Sequence, residues 1–142
     1  MAFIQLLILH GMVDITDDVK ELLKYTDLVL LDIKHIDSDK SKKLVGFGNE
    51  KELNFARFLS DNNIDMWIRQ VIIPGITDDE DDLKKLRDFI SSLKTVRKIE
   101  FLKYHSMGKF KWKNLNIPYD LENIREATSE DIERAKRICG LD

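Results

Sequence analysis

The chain is poor in the residues that build several common kinds of site. One cysteine, Cys139, stands among 142 residues, which excludes an internal disulfide and any metal cage made of cysteine thiolates alone. There are two prolines and six glycines, and no glycine-rich phosphate-binding loop. No pair of histidines has the spacing of a metal site. Ser106, Ser129 and Cys139 lie in no nucleophile motif either.

Neither sign of charge dominates the composition. The 23 basic and 26 acidic residues give a net charge of -3, which indicates neither a nucleic-acid partner nor a membrane surface. A hydrophobic content of 43% and a charged content of 35% are typical of one globular domain, here taken as residues 1–142. A single cysteine fits a reducing, cytoplasmic compartment.

The most apolar segment, residues 3–9, is too short to cross a bilayer as a helix. It also lacks the preceding basic residues and the small-residue cleavage site of a signal peptide, so it is predicted to be a buried strand. Three more strands are predicted at 28–33, 65–73 and 98–102. Helices are predicted between them and at the C-terminus, at about 16–24, 38–45, 50–61 and 78–93, and from Ser129 onward.

Strands that alternate with helices favour right-handed crossovers onto a parallel sheet. The sequence therefore predicts an α/β fold made of (β/α) units. Four such units can form an open doubly wound domain or half of an eight-unit barrel, and hydrophobic periodicity does not separate the two.

The stretch from residue 67 to 82, WIRQVIIPGITDDEDD, contains a strand, a sharp stop and a helix start. The apolar run from Val71 to Ile73 predicts a strand covered on both faces. Arg69 lies inside that strand, where a guanidinium is costly to bury unless a carboxylate or an anion meets it. Thr77 and Glu80 have the spacing of a capping box at the start of the next helix.

Charged residues also follow the second predicted strand. Asp32 and Lys34 alternate around Ile33, so they share one face and can engage a polar ligand or each other. An ordinary ion pair at a strand end is the competing interpretation. A third makes Lys34 a Schiff-base or general-base lysine of a barrel aldolase. His105 follows the fourth strand, and a lone loop histidine is more often a surface residue or a structural hydrogen-bonding residue than a ligand or a base.

Four segments in order carry a more specific signal. They are TDLVLLDIKHID (26–37), KKLVGFGN (42–49), WIRQVIIPGITDDEDD (67–82) and FLKYHSMGKFKW (101–112). This series closely resembles the pyruvate formate-lyase activating enzymes, radical SAM proteins that install a glycyl radical in a partner enzyme. The resemblance covers residues 13–141 and leaves 1–12 atypical. It implies the C-terminal half of a partial, TIM-like (β/α)6 radical SAM barrel.

The resemblance also implies roles for particular residues. Asp32, Ile33 and Lys34 match the family's DLK element, which contacts S-adenosylmethionine (SAM). His105, in the pair Tyr104–His105, matches a histidine that reaches SAM as well. Arg69 matches the strand arginine that faces the bound peptide and the cofactor. The backbone near Leu30, with the Asp32 carboxylate, matches a monovalent-cation site.

Three departures from the family pattern limit what the chain is expected to do alone. The CxxxCxxC motif that ligates the family's [4Fe–4S] cluster is absent. The family's Asp-Thr-Ser/Asn-Gly element corresponds to residues 8–11, Ile-Leu-His-Gly, which lack its carboxylate. Lys103 stands where the family usually has proline. We therefore expect a truncated or fragmentary chain with no catalytic residues of its own, inactive in isolation.

Two functional classes follow from the resemblance. The chain is either the SAM-facing half of an activating oxidoreductase or a non-catalytic remnant that acts as a partner-binding module. The implied partner is a glycyl radical enzyme such as pyruvate formate-lyase. A half barrel leaves the first strand as an apolar edge, so self-association through that edge is also expected.

Overall fold

A computed structural model describes residues 13–105, 121 and 123–141, together with the backbone of one further strand, β1 (Leu6–His10). The other strands are β2 (Leu28–Asp32), β3 (Met66–Ile72) and β4 (Val96–Lys103). The helices are α1 (Asp17–Leu23), α2 (Ser38–Val45), α3 (Glu50–Asp61), α4 (Glu80–Ser91) and α5 (Ser129–Ile138). None of the helices in these described parts is long and apolar enough to cross a membrane.

The four strands form one parallel sheet in the order β1-β2-β3-β4. The predicted α/β fold with a parallel sheet is thus confirmed. Sequence order equals spatial order, as in a segment of a (β/α) barrel. Doubly wound sheets instead reverse direction at a switch point, and these four strands contain no such reversal.

The two faces of the sheet differ in burial. Alternate residues of β3, from Met66 and Ile68 to Ile72, are fully buried in the core. That core is completed by side chains of the covering helices, among them Phe55 and Leu59 of α3 and Leu83 and Leu86 of α4. These contacts fix one face of the sheet against the helical layer.

The second face carries polar residues and is less deeply buried than the first, so the prediction of a strand covered on both faces holds only in part. Trp67, Arg69 and Val71 are only half-buried. Strand register places Asp32 beside Arg69, and Arg69 beside Glu100. Paired residues of parallel strands point to the same side, so this surface, the polar face, bears charge along one row of the sheet.

The turn after β3 uses Thr77 differently from the prediction. The Thr77 hydroxyl accepts the Ile73 N–H at 2.7 Å and donates to the Val71 carbonyl at 2.8 Å. The cap of α4 is Asp79, whose carboxylate accepts the N–H groups of the second and third residues of the helix. The Thr77 hydroxyl therefore bonds to the backbone at the end of β3, and the capping box with Glu80 does not form.

Helix α5 begins where predicted, although its cap lies one residue earlier than Ser129. The Thr128 hydroxyl accepts the Asp131 N–H, and the Asp131 carboxylate accepts the Thr128 N–H at 2.7 Å. This reciprocal pair is a capping box. Arg125 adds a charge-assisted bond to Asp131 at 2.7 Å, and these donors hold the pKa of the Asp131 carboxyl well below its usual range.

Candidate functional site

Arg69 and Asp32 meet on the polar face of the sheet. They are register partners on β3 and β2, and the Arg69 Nε donates to the Asp32 Oδ1 at 2.7 Å. The arginine side chain is 20% exposed and the aspartate side chain 12% exposed, so the pair is sheltered but reachable from solvent. The carboxylate that a strand arginine requires is thus supplied by the adjacent strand.

Lys34 joins this pair from just beyond the end of β2. Its Nζ lies 3.6 Å from the Asp32 Oδ2, while the intervening Ile33 is buried in the core. The prediction that Asp32 and Lys34 share a face is therefore confirmed. We call Asp32, Lys34 and Arg69 the Asp32 cluster. Within the cluster two cations surround one carboxylate, and Glu100, the register partner of Arg69 on β4, is the next acidic residue along this face.

A small cleft opens at the Asp32 cluster. Apolar side chains from three separate parts of the fold line it, namely Leu44, Val71 and Leu102. The cluster lies at the carboxyl ends of parallel strands, which is where (β/α) folds bind ligands. Small-molecule sites also combine an apolar wall with a few convergent charges, but this cleft encloses only about 20 Å³ and is much smaller than such sites.

His105 lies at the same edge of the sheet, after β4. The Tyr104 N–H donates to the Ile72 carbonyl at 3.1 Å, and the Ala127 N–H donates to the Tyr104 carbonyl at 3.0 Å, which fixes this segment beside the end of β3. His105 itself is exposed. Among the described residues, no hydrogen bond or ion pair links it to the Asp32 cluster. Its role in ligand binding stays a prediction.

Glu52 is a site residue that the sequence reasoning missed. It lies on α3 with 1% of its surface exposed, and its Oε2 accepts the backbone N–H of Lys34 at 3.2 Å. Burial raises the pKa of the Glu52 carboxyl to about 7. Helical spacing offered a signal, because Glu52 precedes the buried Phe55 and Ala56 by three and four positions.

His35 follows Lys34 in the chain but belongs to a separate set of contacts. Its Nδ1 accepts the Asp37 N–H at 3.0 Å, and its Nε2 donates to the Ile76 carbonyl at 2.9 Å. Asp82 lies 3.7 Å from that Nε2 and 2.5 Å from the Lys40 Nζ. We call His35, Lys40 and Asp82 the His35 network. Burial lowers the pKa of His35, so the ring is held neutral inside the fold.

The only thiol of the chain is unsuited to ligate a metal. Cys139 is buried, its Sγ lies 3.5 Å from the Leu83 carbonyl, and burial raises its pKa to about 11. Across the part of the chain that the structure describes, no three His, Cys, Asp or Glu side chains are grouped to hold a metal ion. A [4Fe–4S] cluster needs several thiolates, so the donor set does not fit it.

Sequence comparison identifies relatives over most of the chain. It is 56% identical over 121 residues to the pyruvate formate-lyase-activating enzyme of Staphylococcus epidermidis, covering 85% of this chain and 48% of that protein. The enzyme of the same name from Staphylococcus aureus is 52% identical over 122 residues, with 86% and 49% covered. The resemblance predicted from the sequence is thus confirmed. The chain spans about half the length of these relatives, and no family model matches it.

Comparison of structures supports the fold. A domain of a pyruvate-formate lyase-activating enzyme from Bacteroides vulgatus matches with a TM-score of 0.69 at 23% identity, covering 87% of this chain and 70% of that one. A radical SAM methyltransferase from Sphaerobacter thermophilus matches with a TM-score of 0.64 at 12% identity, covering 95% and 37%. At these identities the likeness shows a shared partial (β/α) fold.

Proposed function

We propose that this chain, a homologue of pyruvate formate-lyase-activating enzymes over about half of their length, is the SAM-facing part of a radical SAM activating protein. Its partner would be a glycyl radical enzyme such as pyruvate formate-lyase. The observation that carries the proposal is the Asp32 cluster, in which Lys34 and Arg69 flank one carboxylate at a ligand-binding edge of the sheet.

The chemistry of the cluster suits the amino-acid end of SAM. That end carries a carboxylate and an ammonium group, so Lys34 and Arg69 would meet the carboxylate while Asp32 would meet the ammonium. His105, at the end of the neighbouring strand, would add a further contact. When bound, SAM supplies the sulfonium centre whose reductive cleavage starts radical chemistry. The residues of this chain bind and orient it, and none is assigned a catalytic role.

The iron–sulfur part of the reaction lies outside this proposal. Cys139 is the single thiol, and it is buried and protonated at neutral pH. Purified alone, the chain should therefore hold no [4Fe–4S] cluster and should not cleave SAM. Stoichiometric iron and sulfide after anaerobic reconstitution, or formation of 5′-deoxyadenosine, would contradict this.

A monovalent cation at Asp32 and the Leu30 backbone is also part of the proposal. Such an ion would have to share the carboxylate with Arg69, whose Nε is 2.7 Å from the Oδ1. Titration with K⁺ and Na⁺, followed by the backbone signals of Leu30 and Asp32, would test it. Chemical-shift changes confined to these two residues would support the cation site. No such change at a high concentration of either salt would exclude it.

A second candidate function is a non-catalytic module that docks on a glycyl radical enzyme. The single cysteine favours it, because a chain without cluster ligands can keep a partner surface and lose the reaction.

Both candidates place the protein in the cytoplasm. Both also leave β1 without a paired strand on its outer side among the described strands, and self-association there would appear in sedimentation velocity as a concentration-dependent shift.

The decisive experiment is a SAM titration of the ¹⁵N-labelled chain at high protein concentration. We expect weak, roughly millimolar binding, since the cluster iron that anchors SAM in the family is missing here. Shifts should concentrate at Asp32, Lys34, Arg69 and His105. Lys34→Ala should abolish them, whereas Lys84→Ala should not, because Lys84 pairs with Glu80 on the exposed side of α4.

Two outcomes would overturn the proposal in different ways. Low-micromolar binding by a monomer would show that the chain is not a partial site. Shifts that avoid the Asp32 cluster, or that survive Lys34→Ala, would show that SAM does not use these residues. A borohydride-trapped adduct on Lys34 would instead point to the aldolase interpretation.

A further inference from the structure

The backbone of the DIK segment depends on a side chain from α3. The Ile33 N–H still donates to the Arg69 carbonyl of β3 at 2.9 Å, which is the last bond of the β2–β3 ladder. The amide of Lys34, which alternation turns away from β3, has no strand partner among the described residues and donates to the Glu52 Oε2 at 3.2 Å. Glu52 thus supplies the backbone acceptor for the residue whose ammonium enters the Asp32 cluster.

We propose that Glu52 is a positioning residue that holds Lys34 in place and makes anion binding at Lys34 depend on pH. The inference rests on the proposed function, because it assumes that the Asp32 cluster receives the carboxylate of a ligand. Glu52 would not touch that ligand. It would act through the backbone amide of Lys34 and through its own charge.

The presence of a glutamate at position 52, and not a glutamine, is informative. A glutamine could accept the same N–H without placing an ionisable group in the core. Glu52 is 1% exposed, and its Oε1 has no hydrogen-bond partner among the described residues, so its ionised form is poorly compensated. Burying a charge in this way destabilises the fold, and groups of this kind concentrate at functional sites.

The charges that face Glu52 come from the segment it supports. Lys34 lowers the pKa of the carboxyl and Asp32 raises it, but burial is the largest cause of the net rise to about 7. Glu52 therefore changes charge near neutral pH. Its protonated form removes a negative charge from beside Lys34, so an anion should bind more tightly below pH 7 than above it.

The test compares three variants of the full chain. Glu52→Gln keeps an acceptor for the Lys34 N–H but cannot ionise. Glu52→Leu removes the acceptor and keeps an apolar side chain of similar size. Glu50→Gln is the matched control, because Glu50 lies on the same helix and bonds to Ser38 at an exposed position. The readouts are the amide signal of Lys34, its hydrogen exchange, and SAM affinity.

The amide readouts decide the role of Glu52 without any ligand. In the wild type and in Glu50→Gln, the Lys34 amide shift should titrate with a midpoint near 7. In Glu52→Gln it should be flat, and exchange of this amide should stay close to the wild-type rate. Glu52→Leu should speed that exchange about tenfold relative to core amides such as Ile68. A flat wild-type titration, or unchanged exchange in Glu52→Leu, would overturn the proposal.

The ligand readout tests the coupling to the Asp32 cluster. SAM affinity of the wild type should fall roughly three- to tenfold between pH 6 and pH 8, beyond the change seen in Glu52→Gln. The Gln variant corrects for titration of SAM itself. Equal pH profiles in the two proteins would overturn the coupling. If SAM binds neither protein, the proposed function fails, while the amide readouts still decide whether Glu52 positions Lys34.

Discussion

Two charged clusters begin within one stretch of four residues and end up in opposite environments. Asp32 and Lys34 enter the Asp32 cluster on the polar face, whereas His35, the next residue, enters the His35 network between α2 and α4. Alternation along the chain separates them, since Ile33 and His35 are buried while Lys34 keeps 24% of its side chain exposed. The same strand end thus supplies both the proposed ligand site and a buried structural network.

The difference lies in how fully each cluster is satisfied. In the His35 network both ring nitrogens have backbone partners, and Asp82, with 3% of its side chain exposed, is met by Lys40 and by Lys85 at 3.7 Å. In the Asp32 cluster two cations share one carboxylate at a partly open surface. The proposed anion site lies at this partly open cluster, whereas the His35 network offers no free donor at its ring.

The contrast should be largest when the adjacent residues His35 and Lys34 are each replaced by alanine. His35→Ala should lower the free energy of unfolding by roughly 3–5 kcal/mol, because it opens a cavity and orphans the Asp37 N–H and the Ile76 carbonyl. Lys34→Ala should cost only about 0–1 kcal/mol, as expected for a partly exposed ion pair. Guanidinium unfolding followed by circular dichroism measures both.

The control for this pair is Lys84→Ala, which removes an exposed i,i+4 pair on α4 and should lie within about 0.5 kcal/mol of wild type. If Lys34→Ala destabilised the fold as much as His35→Ala, the main role of the Asp32 cluster would be to stabilise the fold. It would then be a poor candidate for ligand binding.

Much of this contrast could be predicted from the sequence. Alternation places Asp32 and Lys34 together, and the cost of a strand arginine required a partner for Arg69. The parallel sheet followed from the order of strands and helices. Strand limits were less accurate, since β4 starts at Val96 and not at residue 98.

The missed features depend on distances that the sequence does not contain. The Glu52 carboxyl meets Lys34 only after α3 packs on β2, across 18 positions of chain. The His35 network depends on the contact between Lys40 and Asp82, which lie 42 positions apart. Thr77 had the spacing of a helix cap, but its hydroxyl is engaged by the strand end, and Asp79 takes the cap. The first two features need contacts between separate elements, whereas the third is decided within one turn, by which hydroxyl or carboxylate the nearby N–H groups reach.

A smaller effect should come from Glu52, whose carboxyl group accepts the backbone N–H of Lys34. Glu52→Gln should raise the free energy of unfolding at pH 8 by up to about 3 kcal/mol and change it little at pH 4.5. The sign follows from the raised pKa: the folded state binds the Glu52 proton more tightly than the unfolded state between 4.5 and about 7. That stabilisation is complete below 4.5 and is lost as the pH rises through 7.

His35 acts in the opposite direction, so the variant must be compared with wild type at each pH. The pKa of His35 is lowered from 6.5 in the folded state, so its contribution is present above 6.5 and is lost as the pH falls. Urea unfolding curves of both proteins at pH 4.5, 6 and 8 give the difference. A constant difference at all three pH values would show that Glu52 does not titrate.

The coupling between Asp32 and Arg69 should be smaller than the effects of His35→Ala and Glu52→Gln, and it sharpens the comparison most. A double-mutant cycle with Asp32→Asn and Arg69→Met should give a coupling of about 1–2 kcal/mol, reduced in 1 M NaCl, since both side chains remain partly exposed. A ligand that inserts its carboxylate and ammonium must loosen this pair, which is only feasible if the pair is weak. A coupling above about 4 kcal/mol that does not weaken in salt would be that of a buried ion pair. The polar face would then not be the binding surface.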